Sequence, residues 1–405
     1  MNTTTKLSGS LLIMATAVSC GTGNQNHSAD VKDPLANCPV VGQYVQVGND
    51  KVLSCDQRNL KDTIDIPLSY FTEELDIVKL DNRDEALVGQ AGVTISDNYI
   101  LISSSPFKLF DRKGNFLTNI GAVGNGPGEY KFIIYAQLDE PNNRIYLLPW
   151  RGSQLLVYDL AGNIFPPIPF CNQASTSMFY ADSNKGTVSV VTLPMKNIPF
   201  VAWTQDTKGN QISAIEPGNL KCENIGSLVV SSFNLPDIFD INIMCIMPTY
   251  IDSLYQYDRT NSRLRPTFTL NFTNKDDIPW HGYSEWPDHF VGYISDPPIT
   301  RENELGTTTT PGKMHSYIVN KQTNHGSYFK MYNDYLGNIE IKKPHFAFNN
   351  GYYKVNIEPG NLLTEIETAL KNPNLPDTMR KKLIDLQSSI SENDNNYIMI
   401  AKLKS

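Results

Sequence analysis

The aromatic and imidazole side chains best suited to binding a ligand are concentrated in one short segment. Two of the four tryptophans and two of the six histidines lie there with a tyrosine, and the set is Trp280, His281, Tyr283, Trp286 and His289. Exposed aromatic rings can stack on sugars or peptide side chains, and long loops on a rigid scaffold commonly hold binding sites. The segment therefore predicts a ligand-binding surface. The competing interpretation is that these rings pack onto the strands beneath them.

Patterns for catalysis and metal binding are much weaker. His315, His325 and His345 follow at spacings of 10 and 20 residues, which match no common metal-ligand motif. There is no Gly-x-Ser-x-Gly nucleophile elbow, and no cysteine has an identifiable partner base. We therefore predict no catalytic residue, no metal ligand and no cofactor.

The first twenty residues have the features of a bacterial lipoprotein signal. Lys6 precedes a short apolar run over residues 11–15, and small residues then lead to Cys20. The run is too short to span a bilayer, and residues 17–20 resemble a lipobox, whose cysteine is acylated after cleavage. We predict a signal peptide over 1–19, lipidation of Cys20, and a lipidated tether and N-terminal segment over 20–60. No acidic cluster follows Cys20, which favours the periplasmic face of the outer membrane over the cell surface.

The five cysteines after Cys20 cannot all pair with one another, because their number is odd. Cys38 and Cys55 lie between the tether and the predicted domain, where an oxidising compartment permits a small closing disulfide. This pair is the candidate disulfide. We expect buried free thiols at the other three positions, which lie in apolar or strand-like stretches. They are Cys171, Cys222 and Cys245.

A repeated turn indicates how the strands that carry any site are arranged. Past residue 60 the chain is rich in short apolar and aromatic runs, and one pattern recurs between them: an Asp, two variable residues, then Gly or Asn. The Asp side chain can bond the backbone just downstream, and the fourth residue takes a positive φ, which Gly tolerates freely and Asn acceptably. The fourth-position residues are Gly114, Gly162, Gly209, Asn261 and Gly337.

The spacing of these five turns predicts a β-propeller. Their successive intervals are 48, 47, 52 and 76 residues, and about 48 residues is the length of one four-stranded blade. The long last interval indicates an insertion within 274–312. A sixth blade follows from residue 339 onward, interrupted by two helical segments over 362–370 and 378–388. It lacks an outer strand, which residues 75–80 can supply. We therefore predict an all-β, six-bladed β-propeller over 61–405, closed by an N-terminal strand.

One glycine-rich segment carries a family resemblance. Residues 124–130 read Gly-Asn-Gly-Pro-Gly-Glu-Tyr and follow strand-like stretches at 97–101 and 107–115. Together they resemble the opening of a bacterial family of six-bladed, NHL-related propeller lipoproteins of unknown function. The resemblance implies the fold and the compartment but no established activity. Because the segment lacks the ending of a phosphate-binding loop, we expect it to cross between two blades, with Glu129 capping local backbone amides.

The balance of charge restricts the partners. The chain has 34 basic and 42 acidic residues and a formal net charge of -8, so no overall positive field favours nucleic acid. We expect a monomeric, non-catalytic lipoprotein, attached to the outer membrane by its lipid, whose propeller binds a carbohydrate, peptide or protein partner. The alternative is a lactonase- or lyase-type enzyme with a divalent cation such as calcium in the propeller channel.

Overall fold

The strands form six small sheets arranged in a ring. The computed structural model describes residues 33–174, 176–195, 198–221, 228–235, 238–244, 253–274, 278–303, 306–310 and 312–404. The predicted signal peptide, Cys20 and the tether lie outside these ranges. So do Cys222 and Cys245.

Blades 1 to 3 each contain four consecutive antiparallel strands, numbered here from the channel outward. The strands of blade 1 are Val93–Ile95, Tyr99–Ile102, Phe107–Asp111 and Phe116–Ile120. Those of blade 2 are Ile133–Asp139, Arg144–Pro149, Gln154–Tyr158 and Ile164–Pro169. Those of blade 3 are Ser177–Asp182, Thr187–Thr192, Ala202–Asp206 and Gln211–Ile215.

Blades 4 and 5 are widened by N-terminal strands that pair in parallel with them. The strands of blade 4 are Leu228–Ser232, Asp240–Met244, Leu254–Asp258 and Arg263–Asn271, and the hairpin Gly42–Val47 and Asp50–Asp56 extends its outer edge. Those of blade 5 are His281–Glu285, His289–Ser295, Met314–Asn320, Gly326–Asn333 and Ile339–Ile341, with Thr63–Pro67 added. The first described strand therefore precedes residue 61, the predicted start of the propeller.

Blade 6 joins the two ends of the described chain. Its strands are Phe348–Asn349, Tyr352–Ile357, Tyr397–Leu403 and, outermost, Thr72–Lys79. The last two run antiparallel, with Ile77 opposite Met399 and Val78 opposite Ile398. This pairing confirms the six-bladed propeller and its closure by an N-terminal strand, which leaves no open edge between the two ends of the ring.

Short elements connect the blades. The α-helices are α1 (Leu68–Phe71), α2 (Pro359–Leu370) and α3 (Asp377–Ser389). The two longer ones form the predicted helical hairpin inside blade 6. Single 3-10 turns occur at Gln57–Asn59, Asp84–Ala86, Glu140–Asn142, Gly218–Leu220, Asp334–Leu336 and Pro344–Phe346. Two further short pairs are Ala122–Val123 with Glu129–Tyr130, and the hairpin Ile299–Asn303 with Gly306–Thr310.

The repeated turn has the predicted chemistry in blades 1 to 3. In blade 2, Asp159 Oδ1 accepts hydrogen bonds from the backbone N–H groups of Ala161 (2.9 Å) and Asn163 (2.8 Å), and Gly162 has φ of +83°. The glycine has a second role, because a Cβ atom there would lie 2.8 Å from the backbone oxygen of Asn119 in blade 1. Each such turn thus touches the outermost strand of the preceding blade.

The last two turns differ from the prediction. In the fourth, Asn261 donates to Asp258, but the positive φ of 50° falls on Ser262, so the prediction of a positive φ at Asn261 is wrong. In the fifth, Asp334 Oδ1 accepts from the backbone N–H of Ser69 (3.0 Å), which ties the turn to α1. Glu129, by contrast, caps as predicted, with Oε2 accepting from the backbone N–H of Gly126 (2.8 Å).

The candidate disulfide between Cys38 and Cys55 is not formed. Cys55 has a free, fully buried thiol in the core between blades 4 and 5, whereas Cys38 packs against the separate core of blades 5 and 6. The extra strand Asp50–Asp56 carries Cys55 into blade 4 and away from Cys38. Burial raises the pKa of the Cys55 thiol to about 12, so it is an inert core group.

Candidate functional site

The inner strands of the ring surround a cavity of about 310 Å³. Side chains from five blades line it, and those that matter for binding are Ser103 of blade 1, Tyr135 of blade 2, Asp240 and Asn242 of blade 4, Tyr283, Ser284 and Tyr293 of blade 5, and His345, Phe346 and Lys354 around blade 6. Its size and its mixture of aromatic and polar groups are those of a small-molecule site.

Lys354 reaches this cavity because the innermost strand of blade 6, Phe348–Asn349, has only two residues. Lys354 lies on the second strand, where its backbone N–H bonds the oxygen of Ala347 (3.0 Å). Its side chain extends toward blade 1, and Nζ donates to the backbone oxygen of Val93. Burial lowers the pKa of Lys354 to about 8. An ammonium group therefore lies on the cavity wall at neutral pH.

An imidazole packed on a tyrosine forms the adjoining part of the wall. The rings of His345 and Tyr293 stack at 4.5 Å between centroids and 26° between planes, and both side chains are buried. Nδ1 of His345 is 3.2 Å from the hydroxyl oxygen of Ser316, and its Nε2 is buried without a hydrogen-bond partner. Burial, with a smaller contribution from Lys343, lowers the pKa of His345 to about 3, so the ring is neutral at pH 7.

Blade 4 supplies the polar wall. Asn242 Oδ1 accepts from the backbone N–H of Tyr283, and Asp240 Oδ2 accepts from that of Glu285, both at 3.3 Å. These bonds connect the second strand of blade 4 to the innermost strand of blade 5. Burial, with a smaller effect of the Asp240 charge, raises the pKa of Tyr135, which lies across the channel on blade 2. Tyr135 is therefore a neutral phenol.

An aromatic layer separates this cavity from a second one of about 240 Å³. Tyr135 lines both cavities, and its ring packs against Phe179 (5.4 Å) and Phe233 (6.1 Å). The second cavity is lined at the far ends of the inner strands by polar groups that include Asp182 and Asn350. We call the first, larger one the central cavity.

Two exposed aromatic residues that the sequence analysis did not single out lie at the same end of the ring as the central cavity. Phe132 and Trp150 are 62% and 55% exposed, with their rings edge to face at 6.4 Å, and the Arg151 guanidinium lies 4.6 Å from the Trp150 ring. Phe132 precedes the innermost strand of blade 2, whose beginning lines the cavity at Ile134. The turn Trp150-Arg151-Gly152 after a buried strand was the available sequence signal.

The predicted aromatic segment is not an insertion; it forms the first two strands of blade 5. Trp286 and His289 are buried, and the ring of Phe71 in α1 lies 4.9 Å from Trp286 and 5.6 Å from His289. Trp280 and His281 are half-buried. Among the five candidates, only Tyr283 lines the central cavity. The packing interpretation therefore describes Trp286 and His289, and the expectation that their faces are exposed is wrong.

The insertion itself is the hairpin Ile299–Asn303 with Gly306–Thr310, within the predicted range 274–312. It follows the second strand of blade 5, which ends at Ser295, and Gly292 and Tyr293 near that end line the central cavity. The hairpin therefore projects from the same end of the ring as the cavity. Residues 296–302 are exposed.

The histidines considered for a metal site are not brought together. Across the residues that the structure covers, no group of three or more His, Cys, Asp or Glu side chains is arranged to hold a metal ion. In the central cavity, the ammonium of Lys354 would repel a divalent cation. None of the described helices is both long and apolar enough to span a membrane.

The fold and the site define a six-bladed β-propeller with a ligand-sized cavity in its central channel. The chain belongs to the family DUF4934, a domain of unknown function, whose model matches residues 51–402. No curated protein matches it.

Solved structures show the same fold. A "Putative exported protein" from Bacteroides fragilis NCTC 9343 superposes with a TM-score of 0.56 and 15% sequence identity, covering 85% of this chain and 100% of its own. A member of the DUF4221 family from Bacteroides vulgatus ATCC 8482 gives a TM-score of 0.47 and 11% identity, covering 82% of this chain and 97% of its own.

Proposed function

We propose that this protein is a non-catalytic carbohydrate-binding propeller, exported and held at the periplasmic face of the outer membrane by a lipid on Cys20. The observation that carries the binding proposal is the coincidence of a polar, tyrosine-lined central cavity with exposed aromatic rings at the same end of the channel. The ligand enters the cavity, while Phe132 and Trp150 contact the part of the chain that stays outside.

The chemistry of the lining favours a sugar over an apolar ligand. Hydroxyl and amide groups, from Ser103, Ser284 and Asn242, alternate with the rings of Tyr283 and Tyr293. Sugar hydroxyls need such directional partners, and the apolar faces of a sugar ring pack on aromatic rings. A purely apolar ligand would leave these buried polar groups without partners, which costs binding free energy.

The state of the titratable groups supports binding without catalysis. A general base works best with a pKa near the working pH, but the pKa of His345 is lowered to about 3 by burial. Asp240 is engaged with the backbone of Glu285, and Lys354 with that of Val93. These groups are placed to hold a ligand, not to exchange protons with it.

An oligosaccharide array tests the binding proposal. We expect the wild-type protein to retain a subset of neutral or acidic oligosaccharides, and Trp150→Ala to weaken that binding about tenfold, because base and sugar stacking on an exposed aromatic ring is worth about 1–2 kcal/mol. Ile212→Ala, which truncates another exposed apolar residue on the outermost strand of blade 3, is the matched control. Failure of the wild type to bind any saccharide would refute carbohydrate binding.

The lipid anchor has its own test. The proposal is supported by the lipobox-like residues 17–20, and the name of the Bacteroides fragilis neighbour as exported is in keeping with it. Cys20→Ala should move the protein from the detergent-soluble membrane fraction to the aqueous one and abolish incorporation of labelled palmitate, because the thioether-linked lipid is lost. Cys171→Ala should leave both readouts unchanged. Membrane attachment that survives Cys20→Ala would contradict the anchor.

A further inference from the structure

The central cavity holds one ammonium group whose charge is not balanced by a carboxylate. Within the described ranges, the polar partner of Lys354 Nζ is the backbone oxygen of Val93 and no acidic side chain contacts it. An ammonium has three protons to donate, so two are left for a ligand. Burial is the cause of the lowered pKa of Lys354, as expected for a cation held in a cavity without a partner of opposite charge.

The surroundings of Lys354 leave room for an anionic group. On blade 1 the cavity is lined beside Val93 by Gly92, Thr94 and Ser103, which are small and neutral. Gly92 has no side chain, and a Cβ atom there would lie 3.3 Å from Ser103 Oγ, so the wall is closely fitted but low. Ser103 is exposed, which places this wall at the entrance.

The acidic group of the cavity is held apart from Lys354. Asp240 is buried on blade 4, where its Oδ2 accepts from the backbone N–H of Glu285 (3.3 Å). Glu285 in turn is paired with Lys321 at 2.7 Å, outside the cavity lining. The positive end of the cavity is therefore formed by Lys354, and it faces hydroxyl and aromatic groups.

We propose that the ligand of the central cavity is an acidic sugar, a uronic acid unit whose carboxylate binds the ammonium of Lys354. This inference rests on the proposed carbohydrate-binding function and specifies its ligand class. An ion pair is stronger in a partly dehydrated cavity than at the surface, and hydrogen bonds between charged groups are stronger than neutral ones. The sugar hydroxyls are left to the serine and asparagine side chains of the lining.

Titration calorimetry with charged and uncharged forms of the same sugars tests the assignment. The probes are galacturonate, glucuronate and mannuronate trisaccharides, each paired with its methyl ester, which keeps the hydroxyl groups but removes the charge. We expect at least one acid to bind about tenfold more tightly than its ester, as one charge-assisted hydrogen bond provides. Lys354→Met should abolish that preference, and Lys354→Arg should retain it.

The control is Lys402→Met, which removes a positive charge from an exposed lysine of the same blade, outside the cavity. It should leave the preference intact, and thermal melting of every variant confirms folding. Equal binding of acid and ester, or a preference that survives Lys354→Met, overturns the role of Lys354 while carbohydrate binding stands. Binding of neutral oligosaccharides alone, or of the peptide acid acetyl-Ala-Ala in place of the sugars, overturns the acidic-sugar assignment. Binding of no saccharide overturns both proposals.

Discussion

The glycine of the repeated turn combines two requirements that the sequence shows only in part. Gly114, Gly162 and Gly209 have φ between +83° and +87°, which their Asp-x-x-Gly context indicates. Each also lies against the outermost strand of the preceding blade, where a Cβ atom would come within 2.0 to 3.2 Å of a backbone oxygen. That contact joins residues in adjacent blades, so no pattern within a single turn could have predicted it.

Two glycine substitutions separate these requirements. Gly186→Ala, at φ of +61° with open space around it, should lose about 1 kcal/mol of unfolding free energy from backbone strain alone. Gly162→Ala should lose about 2 kcal/mol more, because its methyl group overlaps the oxygen of Asn119 in blade 1. Urea unfolding measures both. Equal losses would show that blades 1 and 2 do not meet closely at this turn.

The candidate site was only partly predictable at the level of single residues. Aromatic clustering drew attention to Tyr283, which does line the cavity, but also to Trp286, which is 1% exposed. Type and spacing do not reveal which face of a strand a ring occupies once both faces are covered. Lys354 could not be found either, because its position depends on the shortness of the strand in front of it.

At the level of elements, the N-terminal hairpin Gly42–Val47 and Asp50–Asp56 was the main feature that the sequence did not disclose. It was interpreted as a segment outside the domain, yet it covers the edge of blade 4 and brings Leu53 and Cys55 into the core. A strand that pairs in parallel with a partner some 210 residues away has no local signature. The helical hairpin, whose spacing is local, was predicted almost to the residue.

An ion-pair cluster fastens this hairpin to blade 4. Asp50 is buried and bonds Arg263 through both oxygens (2.8 and 3.0 Å) and Arg265 Nε (3.2 Å). Asp50→Ala should cost about 2 kcal/mol of unfolding free energy, because two half-exposed guanidinium groups lose their acceptor. The exposed pair of Arg83 and Glu85 provides the control, since Glu85→Ala should cause no measurable change.

Chemical denaturation combined with limited proteolysis measures this effect. In the Asp50→Ala variant, cleavage should begin at the loosened hairpin before the blades unfold. A variant as stable and as protease-resistant as the wild type would show that the hairpin is held by its strand pairing alone.

At the scale of the whole molecule, the ring could be predicted because its evidence is repetitive. Five turns at nearly equal intervals gave the blades, and the missing outer strand of blade 6 was matched by Thr72–Lys79 at the other end of the chain. The cavity inside the ring could not be predicted in the same way, because it depends on how far each inner strand extends. The closed ring is what brings side chains from five blades to one cavity.

The most direct test of the account is whether filling the central cavity abolishes ligand binding. Ser103→Trp places a large ring at its exposed entrance, and Asn184→Trp does the same at the second cavity, at the other end of the inner strands. For the oligosaccharide that binds most tightly on the array, the dissociation constant should rise more than about tenfold in Ser103→Trp, since the ligand's space is taken. It should stay unchanged in Asn184→Trp. Full binding by a folded Ser103→Trp variant, or its loss in Asn184→Trp alone, would contradict the central cavity as the ligand site.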